Sequence, residues 1–286
     1  MLVAQYFNTF IIISFAGWIY ECLYCTICEK HWENRGFLFG PICPIYGSGF
    51  VLVMIFFGYV PFLKQGYNSP PWLVFLICAV MSATIEYSTS LLLEKVFHAV
   101  WWDYTNMPLN LNGRISLPTT CAFGLTGIFV VRFFMPFLAS LGLGRFAELN
   151  EFLALLFMLL LGVDIALTVA SLTNMMERMA DMQKAFDKRM QAGYELASQA
   201  PATVVNAAKN SAIVARNELA ANVSEYIHHL PFPDKHHLMN IKAFRTTRYR
   251  IAADNIVASF KARFLRERKD AGDDTAGSKD PGQENV

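Results

Sequence analysis

Three carboxylates sit where few charges belong. Glu21, Glu86 and Asp164 each fall inside a long apolar stretch of the chain. An ionisable side chain at membrane depth is costly and by default marks a functional place. Counted along their stretches at about 1.5 Å per residue, the three come to a similar depth, roughly 21–24 Å from one face. No lysine or arginine in those stretches shares it. Carboxylates gathered at one level repel one another, so they require a bound cation, a proton or a basic neighbour. The nearest basic candidates are Arg35 and Arg114, from two loops on the same side. Three readings remain open, one of them contact with lipid headgroups. The arginines fold up as bidentate partners and tie the loops to the spans. Alternatively, the acids line a polar cavity that takes a polar or cationic substrate or a proton.

The elements that must position these groups follow from composition. Of 286 residues, 54% are hydrophobic and 16% charged, well below the roughly 25% charged of a soluble domain. The charge is unevenly spread. Residues 1–173 hold 9 acidic and 7 basic side chains, whereas residues 174–286 hold 14 and 17. The first part reads as a transmembrane domain and the second as a water-exposed extension. A helix needs about 20 apolar residues to cross hydrocarbon, and five stretches meet this: residues 5–27, 45–63, 72–93, 116–139 and 149–172. The first is a poor signal peptide, because it lacks a basic start and carries Glu21. With the N-terminus outside, Lys30, Arg35, Lys95, Arg114 and the basic C-terminal part lie inside, and only Lys64 and Arg145 outside. The positive-inside rule favours that orientation in the plasma membrane. Arg132, near the outer end of its span, reads as snorkelling rather than as a partner of Asp164.

The expected architecture is all-α: a polytopic bundle of about five spans over residues 1–173, a cytoplasmic helical extension over 174–268, and a disordered tail over 269–286. Both inner loops are unusual. Gly36, Gly40, Pro41, Pro44, Gly47 and Gly49 fall within 14 residues. With apolar residues between them, they predict either a loop that dips into the protein or a tight loop at the interface, where Trp101 and Trp102 serve as headgroup anchors. Beyond residue 172, Met175, Met179, Met182, Phe186, Met190 and Tyr194 recur at helical spacing and extend the last span as an amphipathic helix. Pro201 breaks it. Further helices are expected over residues 204–227 and 241–268.

Other constellations are weaker. Cys22, Cys25 and Cys28 recur every third residue, yet a fourth soft ligand is missing, so they read as small buried side chains. The pairs His228–His229 and His236–His237 are only weakly specific for metal. The sequence contains no GxxxxGK[ST], HExxH or GxGxxG run. No cofactor, metal or nucleic acid is therefore expected, and any ATP hydrolysis must come from a separate subunit.

The motifs around the two inner loops carry a resemblance. Gly17-Trp18 with Glu21, then NRGFLFGPICPIYGSG, then IEYSTSLLLEKVF and WWDYTNMPLNLNGRI, together resemble the CmpB-like family of type IV ABC-transporter membrane proteins over about residues 10–135. The resemblance singles out Glu21, Asn34, Arg35, Gly36, Gly40, Pro41, Cys43, Pro44, Tyr46, Gly47, Glu86, Tyr87, Glu94, Trp102, Asp103, Tyr104, Asn110, Gly113 and Arg114. It implies a multi-pass protein of a transport system and brings no substrate with it.

The leading expectation is a non-enzymatic permease-like subunit. Glu21, Glu86 and Asp164 line an inner-leaflet cavity, with Asn34, Arg35, Tyr87, Glu94, Trp102, Asp103, Tyr104 and Arg114 around it. Gly36, Gly40, Pro41, Pro44 and Gly47 form the hinge. The partners expected are the bilayer and either a cytoplasmic ATPase or a second copy. Two rivals stay open. One is a membrane enzyme on lipid or polyprenyl carriers, using Glu86, Asp103, Tyr104 and Arg114. The other is a membrane-anchored scaffold.

Overall fold

The computed structural model describes residues 2–29, 34–59, 69–140, 142, 146–198, 205–246 and 248–276. The chain is a membrane protein built of helices. Its candidate spans are α1 (Leu2–Glu29), α3 (Pro71–Phe97), α4 (Leu117–Phe129) continued to Ser140, and α6 (Ala147–Ser198). Among the described residues these are the four helices long and apolar enough to cross a bilayer. The expected second span is shorter: α2 (Pro44–Tyr59) has 16 residues, about 24 Å at 1.5 Å per residue. Residues 60–63 of that stretch lie outside the described residues, as do Lys30, Lys64, Arg145 and Pro201.

Local chemistry sets the helix ends. Pro71 opens α3 at the one helical position where a missing N–H costs nothing. His98, left-handed at φ 51°, closes it with an N–H to the Glu94 carbonyl. Ser116 opens α4 with a capping box: its hydroxyl accepts from the Thr119 N–H and the Thr119 hydroxyl accepts from the Ser116 N–H. Between α4 and α5 (Met135–Ser140), Val130–Phe134 forms a π-helical turn. There Arg132 donates to the Ser69 carbonyl, just ahead of α3, and not to Asp164.

The chain divides into two compact units, Met1–Thr173 with Met239–Lys242, and Asn174–Leu238 with Ala243–Val286. In the first, α3 packs on α4 and α1 on α2. An apolar cluster of Val53, Phe57, Val74, Cys78 and Val131 joins α2, α3 and the π turn. Many large apolar side chains of α1, α3 and α6 point outward, as lipid-facing helices require.

In the second unit the methionine stripe is covered at its start only. Met175 and Met179 are fully buried, Met182 and Phe186 half-buried, and Met190 and Tyr194 exposed. Helix α7 (Val205–His228) packs on α9 (Arg250–Ala276). Helix α9 begins later than the expected 241, after the Thr246 hydroxyl accepts from the Arg248 N–H in a turn. It runs past 269 to Ala276, into the expected tail, whose last residues lie outside the described ones. Between them, α8 (Phe232–Asn240) is a helix that the sequence pattern did not indicate. The Tyr226 hydroxyl donates to Asp234 on α8 at 2.6 Å.

His237, also on α8, is fully buried, and burial followed by the neighbouring His236 lowers its pKa to about 3. The unfolded chain, titrating near 6.5, therefore binds more protons than the folded one between those values. Stability is complete above pH 6.5 and is lost as pH falls, by up to about 1.4 kcal/mol per pH unit. Hydrogen exchange of α8 in the full chain at pH 7.5 and 5.0, corrected for intrinsic rates, should show faster opening at pH 5.0. His237→Leu should remove that difference.

Candidate acid–tyrosine site

The site begins with two glycines. Helices α1 and α2 approach so closely that a Cβ on Gly47 would lie 2.2 Å from Ser14 Oγ and 2.3 Å from the Phe10 carbonyl oxygen. A Cβ on Gly17 would lie 2.4 Å from the Tyr46 ring. Gly47 is thus a packing residue in the first turn of α2. Tyr46 lies over Gly17, and its hydroxyl reaches Glu21, one turn further along the same face of α1, as donor to Oε1.

Helix α3 presents Glu86, Ser90 and Glu94 at successive four-residue steps, on one face. The segment after α3 folds back over that face. Its two-residue strands Asn110–Leu111 and Ile115–Ser116 pair antiparallel around Asn112 and Gly113, both left-handed at φ 56° and 69°. Asn and Gly enter that region at least cost. A Cβ on Gly113 would meet Asp103 Oδ1 at 2.6 Å. Asp103 accepts from the Thr105 N–H (3.0 Å), Asn110 Nδ2 donates to the carbonyls of Thr105 and Met107, and Trp102 Nε1 donates to the Arg114 carbonyl (3.0 Å). These contacts shape the hairpin.

What the hairpin delivers is one side chain to each acid of α3. The Tyr104 hydroxyl donates to Glu86 Oε1 at 2.9 Å. Arg114 Nη2 pairs with Glu94 Oε2 at 2.7 Å and lies over the Tyr87 ring, 5.4 Å from its centroid. Burial first, then the Glu86 charge and hydrogen bond, then Glu21 and Tyr24, hold the Tyr104 phenol well above its usual pKa. It keeps its proton and remains the donor. Glu86 is buried, and its Oε2 has no hydrogen-bond partner among the described residues.

Asp164 does something else. The Phe39 and Gly40 N–H groups donate to its two carboxylate oxygens, each at 3.0 Å, and the Thr168 hydroxyl approaches Oδ1 at 3.4 Å. A Cβ on Gly40 would lie 2.7 Å from Asp164 Oδ2. Residues 34–43 have no regular structure, yet Leu38 and Cys43 are buried. The loop dips into the protein, and its backbone is satisfied there: the Cys43 N–H donates to the Ser14 carbonyl and the Arg35 N–H to Cys22 Sγ. Asn34 Oδ1 accepts from Trp18 Nε1 at 2.8 Å. Gly36, at φ 147°, makes the turn, and Pro44 starts α2.

The expected residues therefore separate into three groups. Glu21 and Glu86 are each met by a phenol, where an arginine was one of the expectations. Arg114 goes to Glu94, two turns beyond Glu86. Asp164 anchors the loop. Tyr46 was marked only by the family motif, and its role as partner of Glu21 was missed; the small residues Gly17 and Gly47 were the available signal. Among the described residues no three His, Cys, Asp or Glu side chains gather as a metal site.

The Glu94–Arg114 pair is mostly buried, with side-chain exposures of 21% and 12%. Arg114→Ala should destabilise the transmembrane unit by about 2 kcal/mol or more, because it removes a mostly buried ion pair and uncovers Tyr87. Arg114→Lys should recover only part, since an ammonium cannot lie flat on the ring. Thermal unfolding in detergent reads both, and equal stability of Arg114→Ala and the wild type would remove the pair from the account.

Comparison with curated proteins and with solved structures gives no match. A family model described as "Putative ABC-transporter type IV" matches residues 8–169, further than the 10–135 carried by the motifs and far enough to take in Asp164. That match covers more than half of the 286 residues, and with the long apolar helices it makes this chain a member of the type IV ABC-transporter family of membrane proteins.

Proposed function

We propose that this chain is the permease-like subunit of a transport system in the plasma membrane, with its N-terminus outside and its C-terminus in the cytoplasm. The observation that carries the reading is the pairing of Glu21 with Tyr46 and of Glu86 with Tyr104. A phenol donates a hydrogen bond and brings no positive charge, so the acids keep the capacity to bind a cationic or polar substrate. An inner-leaflet cavity beside α1, α2 and α3 is the place for it. Asp164 contributes by holding the dipped loop, which leaves two acids for substrate. Five crossings, with α2 as the short one, put the termini on opposite sides, and mismatch at a short helix costs little.

The chain carries no P-loop, so a separate ATPase supplies the energy and docks on the C-terminal unit. Purification of the tagged full chain from its native membranes tests this. An ATPase subunit should co-purify, and Glu21→Gln with Glu86→Gln should abolish transport while leaving the complex intact. A chain recovered without an ATPase, whose double variant keeps full function, would be a scaffold instead.

A further inference from the structure

We propose that the Glu21–Glu86 site takes an organic ammonium group, held between the two carboxylates and a wall of tyrosines. This deepens the transport reading by naming the ligand class of the same site.

Charge comes first. Tyr46, which holds Glu21 of α1, lies in the first turn of α2, and α2 packs on α1 and on α3, which carries Glu86, so the two acid–tyrosine pairs sit on neighbouring helices, where the Glu21 charge also bears on the Tyr104 phenol. The hydrogen-bond donors of these pairs are phenols, and among their groups only acids can carry charge. The second observation is Glu86 itself. The residue is 6% exposed, Tyr104 takes Oε1, and Oε2 is buried with no partner among the described residues. A buried carboxylate oxygen of this kind takes a further donor, and one that carries positive charge makes the strongest bond to it.

The third observation selects the kind of cation. Tyr20 stacks with Tyr24 at 6.2 Å and meets Tyr46 edge-on at 6.1 Å, and Tyr46 lies 6.5 Å from Phe123. Tyr20 and Tyr24 are 57% and 56% exposed. Aromatic faces beside carboxylates attract ammonium groups, primary or quaternary. A hard metal ion requires six or more oxygen ligands, and here a phenol already occupies one oxygen of each carboxylate. An anion is repelled. The ammonium has two natural sources, a free amine or the headgroup of a phospholipid, and both present the same chemistry.

The test uses the full chain in nanodiscs of phosphatidylglycerol, with radiolabelled tetramethylammonium and methylammonium as probes in a scintillation proximity assay. Both probes should bind saturably and resist displacement by an equal concentration of K⁺. Glu86→Gln should weaken both at least about tenfold. Tyr20→Leu with Tyr24→Leu, changes on an open surface, should weaken tetramethylammonium about tenfold and methylammonium less. Arg189→Gln, in the C-terminal unit, should change nothing. Displacement by added phosphatidylethanolamine assigns the site to a lipid headgroup, and its absence to a free amine. Failure of the wild type to bind either probe overturns the proposal. So does displacement by K⁺ at equal concentration, or binding retained in the Glu21→Gln, Glu86→Gln double variant. An ATPase that co-purifies with a chain binding neither probe would leave the transport reading standing and remove only this ligand class.

Discussion

Gly47→Val yields no folded transmembrane unit. A Cβ at this position would sit 2.2 Å from Ser14 Oγ and 2.3 Å from the Phe10 backbone oxygen. Ser14 is wholly buried and the second obstacle is helix backbone, so neither can swing aside. The helices must separate, and separation pulls Tyr46 from Glu21 and loosens the Tyr46 ring from Gly17. Overpacking a close helix crossing costs about 1–3 kcal/mol for a small insertion and more for a branched one. Gly47→Ala is therefore expected to survive with a loss of about 2–3 kcal/mol, and valine to fail. Gly58 is the internal control. It lies in the same helix with nothing within 4 Å of its added Cβ. Gly58→Ala should be neutral or slightly stabilising, because alanine favours helix by about 1 kcal/mol. Size-exclusion profiles after heating in detergent read all three. Equal melting of the Gly47→Ala and Gly58→Ala variants would mean that the α1–α2 crossing is not as close as described.

Asp164→Ala releases the dipped loop. Its carboxylate is the acceptor for two backbone N–H groups in a segment with no regular structure. Each charge-assisted hydrogen bond contributes about 1.5–3 kcal/mol, and removing the carboxylate takes that acceptor from two partly buried N–H groups. Cys43, at the end of the loop and 7% exposed, is a built-in reporter. Its labelling by a membrane-permeant maleimide, followed on the Cys43 peptide by mass spectrometry, should accelerate at least about tenfold in Asp164→Ala. Asp164→Asn should also accelerate it, since the amide offers one acceptor oxygen and turns its own donor toward the other N–H. Unchanged Cys43 labelling in both variants would show that the loop is held by other contacts.

The spans were legible because membrane crossing asks little of a sequence. A helix closes its own backbone hydrogen bonds, so apolar length suffices to mark it. Residues 5–27, 72–93, 116–139 and 149–172 each fall within such a helix or differ from it by about one residue at an end. The continuation of the last one as a single helix to Ser198 followed from the methionine spacing. Helix α8 was not legible, because nine residues with Pro233 near the start and apolar side chains only at the two ends carry no apolar period. The partners of the acids were not legible for a different reason. Depth along a helix can be counted, but each residue also turns the side chain by about 100° around the axis. Glu21, Glu86 and Asp164 were therefore placed at one level without their directions. Gly40 and Gly47 looked like hinges from composition, and each is a point of close approach.

By itself the sequence determined that this chain is a helical membrane protein, which family it resembles, and which few charges lie at membrane depth. Apolar length, motif spacing and charge counts are all properties of a linear string. Only the tertiary structure decided what those charges do: Tyr46 on Glu21, Tyr104 on Glu86, Arg114 on Glu94, and two loop amides on Asp164. The physical reason is that each pairing depends on the rotation of a helix about its axis. That rotation is set elsewhere, by Gly17 and Gly47 where α1 meets α2, and by a left-handed Asn112–Gly113 turn that swings a hairpin back onto α3.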